Sequence, residues 1–347
     1  MKTDHATLAP SNTLVVALAM AALVLPAMSS ADEPPSGLPV EVGVQPAAHP
    51  ASPPQQGAGH ESPASARGTA DGVVAPHNAH GSLAEVGAKL SNPISDVWAH
   101  FTEFTMAFND GDVNDGDPEI GGGVIYQPIL PVPIYGKGKD EWRLIVRPTI
   151  PLLLGQPVPQ GPNSFDNKTG IGDTLLPLPL SAPTGSWILA LGPTFLLPTS
   201  TKDSLGDQQW GAGPAGVFGY KNKTTTLVAF PQYHFGIGGR GDRGGKSTVS
   251  KLSLLYAAYL NLPDAWQVGM NPTINYNDKA SSGNKWNVPL GLLVAKTVAI
   301  GGRPVKFQFG FEYSVVSEDD FGKRMLFKLN VIPVVGALIK NPIFGGD

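Results

Sequence analysis

The chain has no cysteine among its 347 residues, and only 15% of them are charged. Without thiols there can be no disulfide, no thiolate metal site and no cysteine nucleophile. A formal charge of −4 offers no broad basic surface, so nucleic acid is not expected as a partner. Long apolar runs are scarce too. The longest early one, Thr13 to Leu25, falls short of the roughly 20 residues that a membrane-spanning helix needs. It follows Lys2 and is followed by Pro26 and the small residues Ser29, Ser30 and Ala31, so residues 1–31 read as a secretory signal peptide. What is plentiful is glycine (42) and proline (34). Low charge with abundant glycine suits a barrel whose outer face meets lipid.

Residues 32–82 are rich in Pro, Ala, Gly and Ser and hold too few large apolar side chains to bury a core. They read as a disordered periplasmic tail. Leu83 to Leu90 (LAEVGAKL) has the spacing of a short amphipathic helix, stopped by Ser91-Asn92-Pro93. From Val97 onward, strand and turn signals alternate. The expected strands are 97–108, 119–131, 142–153, 170–180, 187–198, 210–220, 225–237, 249–261, 266–276, 286–298, 304–315 and 323–333. Each is near the 9–11 residues that a tilted membrane strand requires. The clearest is VKFQFGFEYSVV (305–316), which sets Val305, Phe307, Phe309, Phe311 and Tyr313 against Lys306, Gln308 and Glu312. A period of two puts these sets on opposite faces.

Alternation does not say which face is wet. Two further patterns do. Short connections such as 181–186, 222–225 and 262–265 trade places with long polar ones at 109–119, 155–169, 199–209, 238–248 and 277–285, as in barrels with short periplasmic turns and long outer loops. Trp98, Trp142, Trp187, Trp210, Trp266 and Trp286 all fall at strand ends, as two interfacial girdles require. The expected fold class is therefore all-β, a transmembrane antiparallel up-and-down β-barrel of about twelve strands. The barrel occupies 83–347, opens with a short helix and is preceded by the tail. By parity its lumen is lined by Arg143, Arg147, Gln232, His234, Lys251, Gln267, Asn271, Asn275, Lys306, Gln308, Glu312, Arg324 and Lys328. Positive charges outnumber negative ones there, which would favour anionic or polar solutes. Residues 83–96 are the natural plug.

The motifs FLLPTSTKDSLGDQQWGAGPAGV (195–217), TGIGDTLLPLPLSAP (169–183) and SSGNKWNVPLGLLVAK (281–296) resemble segments of a bacterial outer-membrane β-barrel family. That family is labelled transporter or "MetA-pathway of phenol degradation", and is often mislabelled neuromedin U. The opening LAEVGAKLSNPISDV (83–97) is similar to the start of its domain. The resemblance implies a Gram-negative outer-membrane location and passage of small, possibly aromatic or anionic molecules. Its partners would be outer-membrane lipid, a small solute and the barrel-assembly machinery. Two other readings stay open: a closed-lumen structural or surface-binding barrel, and a secreted soluble β-barrel binding protein.

Chemistry is hard to place on this chain. Asp110, Asp112 and Asn114 fit the first three ligand positions of an EF-hand. Asp115 stands where glycine is required, however, and Gly121 where glutamate is required. The stretch reads as a solvated acidic loop, with weak surface Ca²⁺ as its alternative and no metal or other cofactor expected. Lipid hydrolysis on a barrel needs Ser, His and an orienting polar group together on the lipid face. His234 points inward by parity, and neither it nor His100 has an evident Ser partner, so an enzyme is not expected.

Overall fold

The structure is a computed structural model and describes residues 81–115, 117–239 and 249–345. The expected signal peptide and nearly all of the expected tail lie outside the described residues, as does most of the 238–248 loop. The first element is the helix α1 (Leu83–Leu90). Its start is a capping box. The Ser82 hydroxyl accepts the Glu85 amide at 3.3 Å while the Glu85 carboxylate accepts the Ser82 amide at 3.0 Å.

Sixteen strand segments follow: β1 Ala99–Asp110, β2 Glu119–Tyr135, β3 Trp142–Val146, β4 Ile150–Gly161, β5 Ser164–Ile171, β6 Thr174–Pro177, β7 Leu180–Ser181, β8 Trp187–Leu197, β9 Gln209–Lys221, β10 Thr225–Gly239, β11 Ser250–Asn261, β12 Trp266–Met270, β13 Thr273–Asn277, β14 Trp286–Ile300, β15 Arg303–Val316 and β16 Gly322–Pro333. They make twelve strands of one closed antiparallel barrel, because β3–β4, β5–β6–β7 and β12–β13 are each one interrupted strand, at Pro148, at Gly172-Asp173 and Pro179, and at Pro272. Proline has no N–H for the ladder, so it breaks segmentation without ending the strand. The barrel closes where β1 pairs β2 on one side and β16 on the other (Thr102↔Val331 to Asp110↔Gly322).

Along β15 the two faces differ sharply. Lys306, Gln308, Glu312 and Ser314 are buried, whereas Phe309 (55%), Tyr313 and Val315 are exposed. The same rule holds around the wall, with Phe104, Leu191, Phe218 and Leu292 exposed outward. No described helix is long and apolar enough to cross a membrane, and the exposed apolar band on the strands is what meets lipid.

Two expectations need correction. The stretch 155–169, read as a long outer loop, is a strand hairpin: β4 and β5 pair from Leu152↔Ile171 to Gly161↔Ser164, turning at Pro162 and at Asn163, whose φ is 52°. Its Gly, Pro and Asn content reads as a loop, but pairing to a neighbour overrides composition. Trp98 is not an interfacial residue; it is buried to 5%. Its carbonyl accepts the Val335 amide at 2.9 Å, so the chain that runs on past β16 lies against it. That continuation then reaches β2, where the amides of Ile343 and Phe344 donate to the carbonyls of Pro133 and Ile134. The acidic loop that holds Asp110, Asp112 and Asn114 bonds to itself. Asn114 spends its amide on the loop itself, accepting the Gly111 N–H at 2.8 Å and donating to the Asp117 carbonyl at 2.6 Å. Among the described residues no group of three or more acidic or His side chains could hold a metal.

Candidate functional site

The interior has two layers. Toward the end that holds α1, it is apolar and filled. Ile94 packs among Ile145, Ile188, Val217, Val228, Phe230, Tyr259 and Leu293, contributed by β3, β8, β9, β10, β11 and β14. Strands that far apart share a cluster only because their inward side chains converge on the segment inside the barrel. On the other side of that segment Val86, Leu90 and Val97 pack with Phe101, Ile129 and Ile332.

Polar contacts orient the segment. Lys306, completely buried, donates to the Gly87 carbonyl (3.1 Å) and the Ser91 hydroxyl (2.6 Å), and its ammonium stands 5.0 Å from the Tyr259 ring centroid. Those acceptors belong to the C-terminal turn of α1, where the helix dipole favours a cation. The Ser91 hydroxyl also lies 3.3 Å from Gln267 Oε1, and Gln267 donates to Asn261 at 2.6 Å. Gly87 sits so close to Thr297 that a Cβ there would fall 2.6 Å from its Oγ1. A side chain at position 87 would therefore lift the helix off the wall. Lys89 pairs with Asp96 at 3.0 Å. Burial pushes the Asp96 carboxyl up, but Lys89, with Arg143 in support, outweighs it and holds the group below the usual carboxylate range.

Beyond this layer the interior turns polar and opens. A cavity of about 260 Å³ is bounded by Glu103, Thr105, Gly121, Gln156, Thr273, Glu312, Lys323 and Lys328, with Ile125, Leu153 and Leu326 between them. Lys328 and Glu312 form a buried ion pair at its floor. Asn330 donates to Gln308 at 3.0 Å just beneath. Arg147 is held by Gln127 (2.7 Å) and lies over the Phe101 ring at 5.7 Å.

The remaining residues singled out in the sequence are spread around the wall. His234 is buried and meets the Thr194 hydroxyl at 3.0 Å, which also donates to Gln232 at 3.1 Å. These two reach Thr194 across β9 because the residue between is Gly213, which has no side chain to block them. Lys251 pairs with Asp207 at 2.6 Å, and Arg143 with Glu141 at 2.5 Å. Asn275 is exposed, and its amide donates back to the Thr273 carbonyl. The Asn271 carbonyl accepts from Lys328 at 3.3 Å. Arg324 does not line the cavity; Lys323 does. The register shifts where Phe108↔Met325 gives way to Asn109↔Lys323, so a bulge skips Arg324 and defeats parity counting. Glu103 was missed too. It belongs to β1, which the sequence placed at 97–108 and the structure at Ala99–Asp110. Of the six tryptophans, Trp142, Trp187, Trp210 and Trp266 are exposed, and Trp286 is half-buried against Tyr276.

No family model matches the chain, and no curated protein does. Solved structures do match. An outer membrane channel from Pseudomonas putida F1 superposes with a TM-score of 0.52 at 12% identity, covering 69% of this chain and 95% of that one. Outer membrane phospholipase A from Escherichia coli matches with a TM-score of 0.37 at 12% identity (73% and 99% covered). A BenF-like porin from Pseudomonas fluorescens Pf-5 matches with 0.29 at 10% (69% and 98%). The expectation that this barrel is not an enzyme is corrected by the second of these, since an enzyme stands among the matched barrels. At such identities the likeness is one of fold alone. Together with the closed wall and its exposed apolar band, it makes this chain a twelve-stranded β-barrel of the outer membrane.

Proposed function

We propose that the barrel is a gated channel through which small solutes cross the outer membrane, and that the segment 83–98 is its gate. One observation carries the reading: this segment fills one end of the barrel, while a cavity lined by charged side chains remains at the other. The matched structure from Pseudomonas putida F1 is an outer membrane channel, in keeping with it. The lumen set named from the sequence, with Glu103 and Lys323 added and Arg324 removed, is the proposed lining. Its cavity carries Glu103 and Glu312 against Lys323 and Lys328, so the charges balance there. A polar or zwitterionic solute suits it better than a strictly anionic one. Outer-membrane lipid surrounds the barrel, and the barrel-assembly machinery is the partner proposed for its insertion.

Single-channel recording on refolded protein tests this. Small, intermittent openings are expected for the full chain, and larger, steady ones after removal of residues 32–96. Silence from both would overturn the channel and leave a closed structural barrel. That second reading has its own support in the apolar cluster around Ile94, which is packed like a protein core.

A further inference from the structure

At the end of the barrel that carries the short turns, the wall has a notch. β1 begins at Ala99, opposite Ile129 of β2, while β2 runs on to Tyr135. Residues 130–135 of β2 therefore have no β1 beside them. The chain that follows β16 enters this notch. It leaves the wall with the Val335 amide on the Trp98 carbonyl (2.9 Å). It returns with the Ile343 and Phe344 amides on the Pro133 and Ile134 carbonyls (3.2 and 2.9 Å). Residues 336–342 lie between the two ties, a loop without regular structure that is pinned at both ends.

The pinned loop presents side chains that do not suit a wet surface. Leu338 is 83% exposed, more than any apolar side chain of the described wall, where Leu292 reaches 71%. Ile339 follows it, and Ile343 and Phe344 are exposed as well. Large apolar side chains gathered in the open mark an interaction site. None of these four belongs to the interior cluster that covers the segment 83–98, whose last member along the chain is Val334.

The lipid-facing band reaches the same rim. Tyr135 and its cross-strand partner Trp142 are both exposed there. Gly345 lies so close to the Tyr135 ring that a Cβ would fall 2.9 Å from it, so the loop's apolar surface continues that band. Basic groups frame it. Lys340 follows Ile339, and Lys137 and Lys139 sit in the turn after Tyr135. Of the acids in that turn, Glu141 is taken by Arg143, which leaves Asp140 to oppose these lysines. Apolar side chains, then aromatic rings, then cations is the sequence of layers in a segment that lies in a membrane interface. Cations at that depth attract anionic headgroups.

We propose that residues 336–345 are a hook set in the inner leaflet of the outer membrane. Leu338, Ile339, Ile343 and Phe344 enter among the acyl chains of an anionic phospholipid, and Lys139 and Lys340 meet its headgroup. Short turns place this end of the barrel in the periplasm, so the lipid is a phospholipid of the inner leaflet. The hook ties the bilayer to the point where β1, β2 and β16 close the wall. It does not rest on the channel reading.

The cysteine-free chain makes the test direct. Leu338→Cys and, as a control in the long polar loop at the other end, Ser282→Cys are each labelled with a polarity-sensitive nitrobenzoxadiazole dye in the full chain. Both are refolded into phosphatidylcholine vesicles with and without phosphatidylglycerol. Quenching by lipid spin-labelled near its headgroup is compared with quenching by aqueous iodide. The dye at 338 is expected to be quenched several-fold more by the lipid, and several-fold less by iodide, than the dye at 282. Phosphatidylglycerol should deepen that difference. Lys139→Gln with Lys340→Gln, added to Leu338→Cys, should abolish the effect of phosphatidylglycerol and keep the rest. A dye at 338 as open to iodide as the one at 282, in barrels that keep their gel shift on heating, would overturn the hook and make the loop a docking surface for a periplasmic protein. A phosphatidylglycerol effect that survives the double lysine variant, or none in the parent, would overturn the anionic headgroup.

Discussion

The two ends of the barrel interior are built from the same twelve strands and solve opposite problems. At the α1 end the inward positions are Ile, Val, Ala and Phe, and the chain's own segment 83–98 fills the space. At the loop end the inward positions are Glu, Lys, Thr and Gly, and a cavity is left. The difference shows what each kind of lining costs. Apolar inward residues must find a cover, whereas charged ones can stay apart provided they pair. Lys306 sits on the boundary, a buried cation whose partners are a carbonyl, a hydroxyl and an aromatic ring rather than a carboxylate.

The comparison can be broken most forcefully at Ile94. Ile94→Glu puts a carboxylate into the apolar cluster at a cost of several kcal/mol. The segment is expected to leave the lumen, with single-channel conductance rising toward that of the truncated barrel; an unchanged trace would mean the cluster does not hold the gate. Next comes the charged end. Glu312→Gln strands Lys328 without its counter-ion, and breaking such a buried pair costs on the order of 3–5 kcal/mol. Urea unfolding in detergent should show a lower midpoint. The lipid face follows: Phe309→Arg is expected to cost about 2–4 kcal/mol near mid-membrane. It should reduce the folded fraction seen as a gel shift on heating. Gln308→Arg, one residue away, would be crowded against Asn330 but would meet no lipid. It should keep the gel shift, and equal loss in both variants would refute the assignment of faces.

Lys306→Met is a gentler probe of the boundary. It removes two hydrogen bonds to the helix, worth about 1–3 kcal/mol, while keeping the volume. Faster proteolysis around Ser91 would report a loosened gate. The smallest effect comes from pH. The Asp96 carboxyl is held below its ordinary range, so its pairing with Lys89 contributes fully above the unfolded carboxylate pKa and is lost as pH falls through the folded one. Acid should therefore raise the open fraction, and Asp96→Asn should remove that pH dependence.

Much of this was legible in the sequence, and the failures have physical causes. The β15 alternation and the short helix at 83–90 are local signals, and the structure keeps both. The hairpin at 155–169 is not local: its Pro and Gly residues look like a loop until the β4–β5 pairing is known. Arg324 and Lys323 exchanged roles at one bulge, which no count of alternate residues can foresee. Trp98 had the sequence position of a girdle residue, but it is buried, and the chain past β16 bonds to its backbone.

That continuation has a consequence for how the barrel is made. The amides of Ile343 and Phe344 are tied to β2, one of the first strands to be synthesised. Closure at β1 and β16 likewise joins stretches separated by almost the whole described chain. Contacts of such high order form late and slowly. Until residues 343 and 344 have been delivered, the edge of β2 beyond β1 stays bare, and a half-finished wall exposes strand edges that invite pairing with another copy. The clasp therefore acts as a seal on completion: a chain halted before β16 would be expected to leave an open curtain rather than a smaller barrel, and one halted between β16 and Ile343 a closed wall with the end of β2 bare.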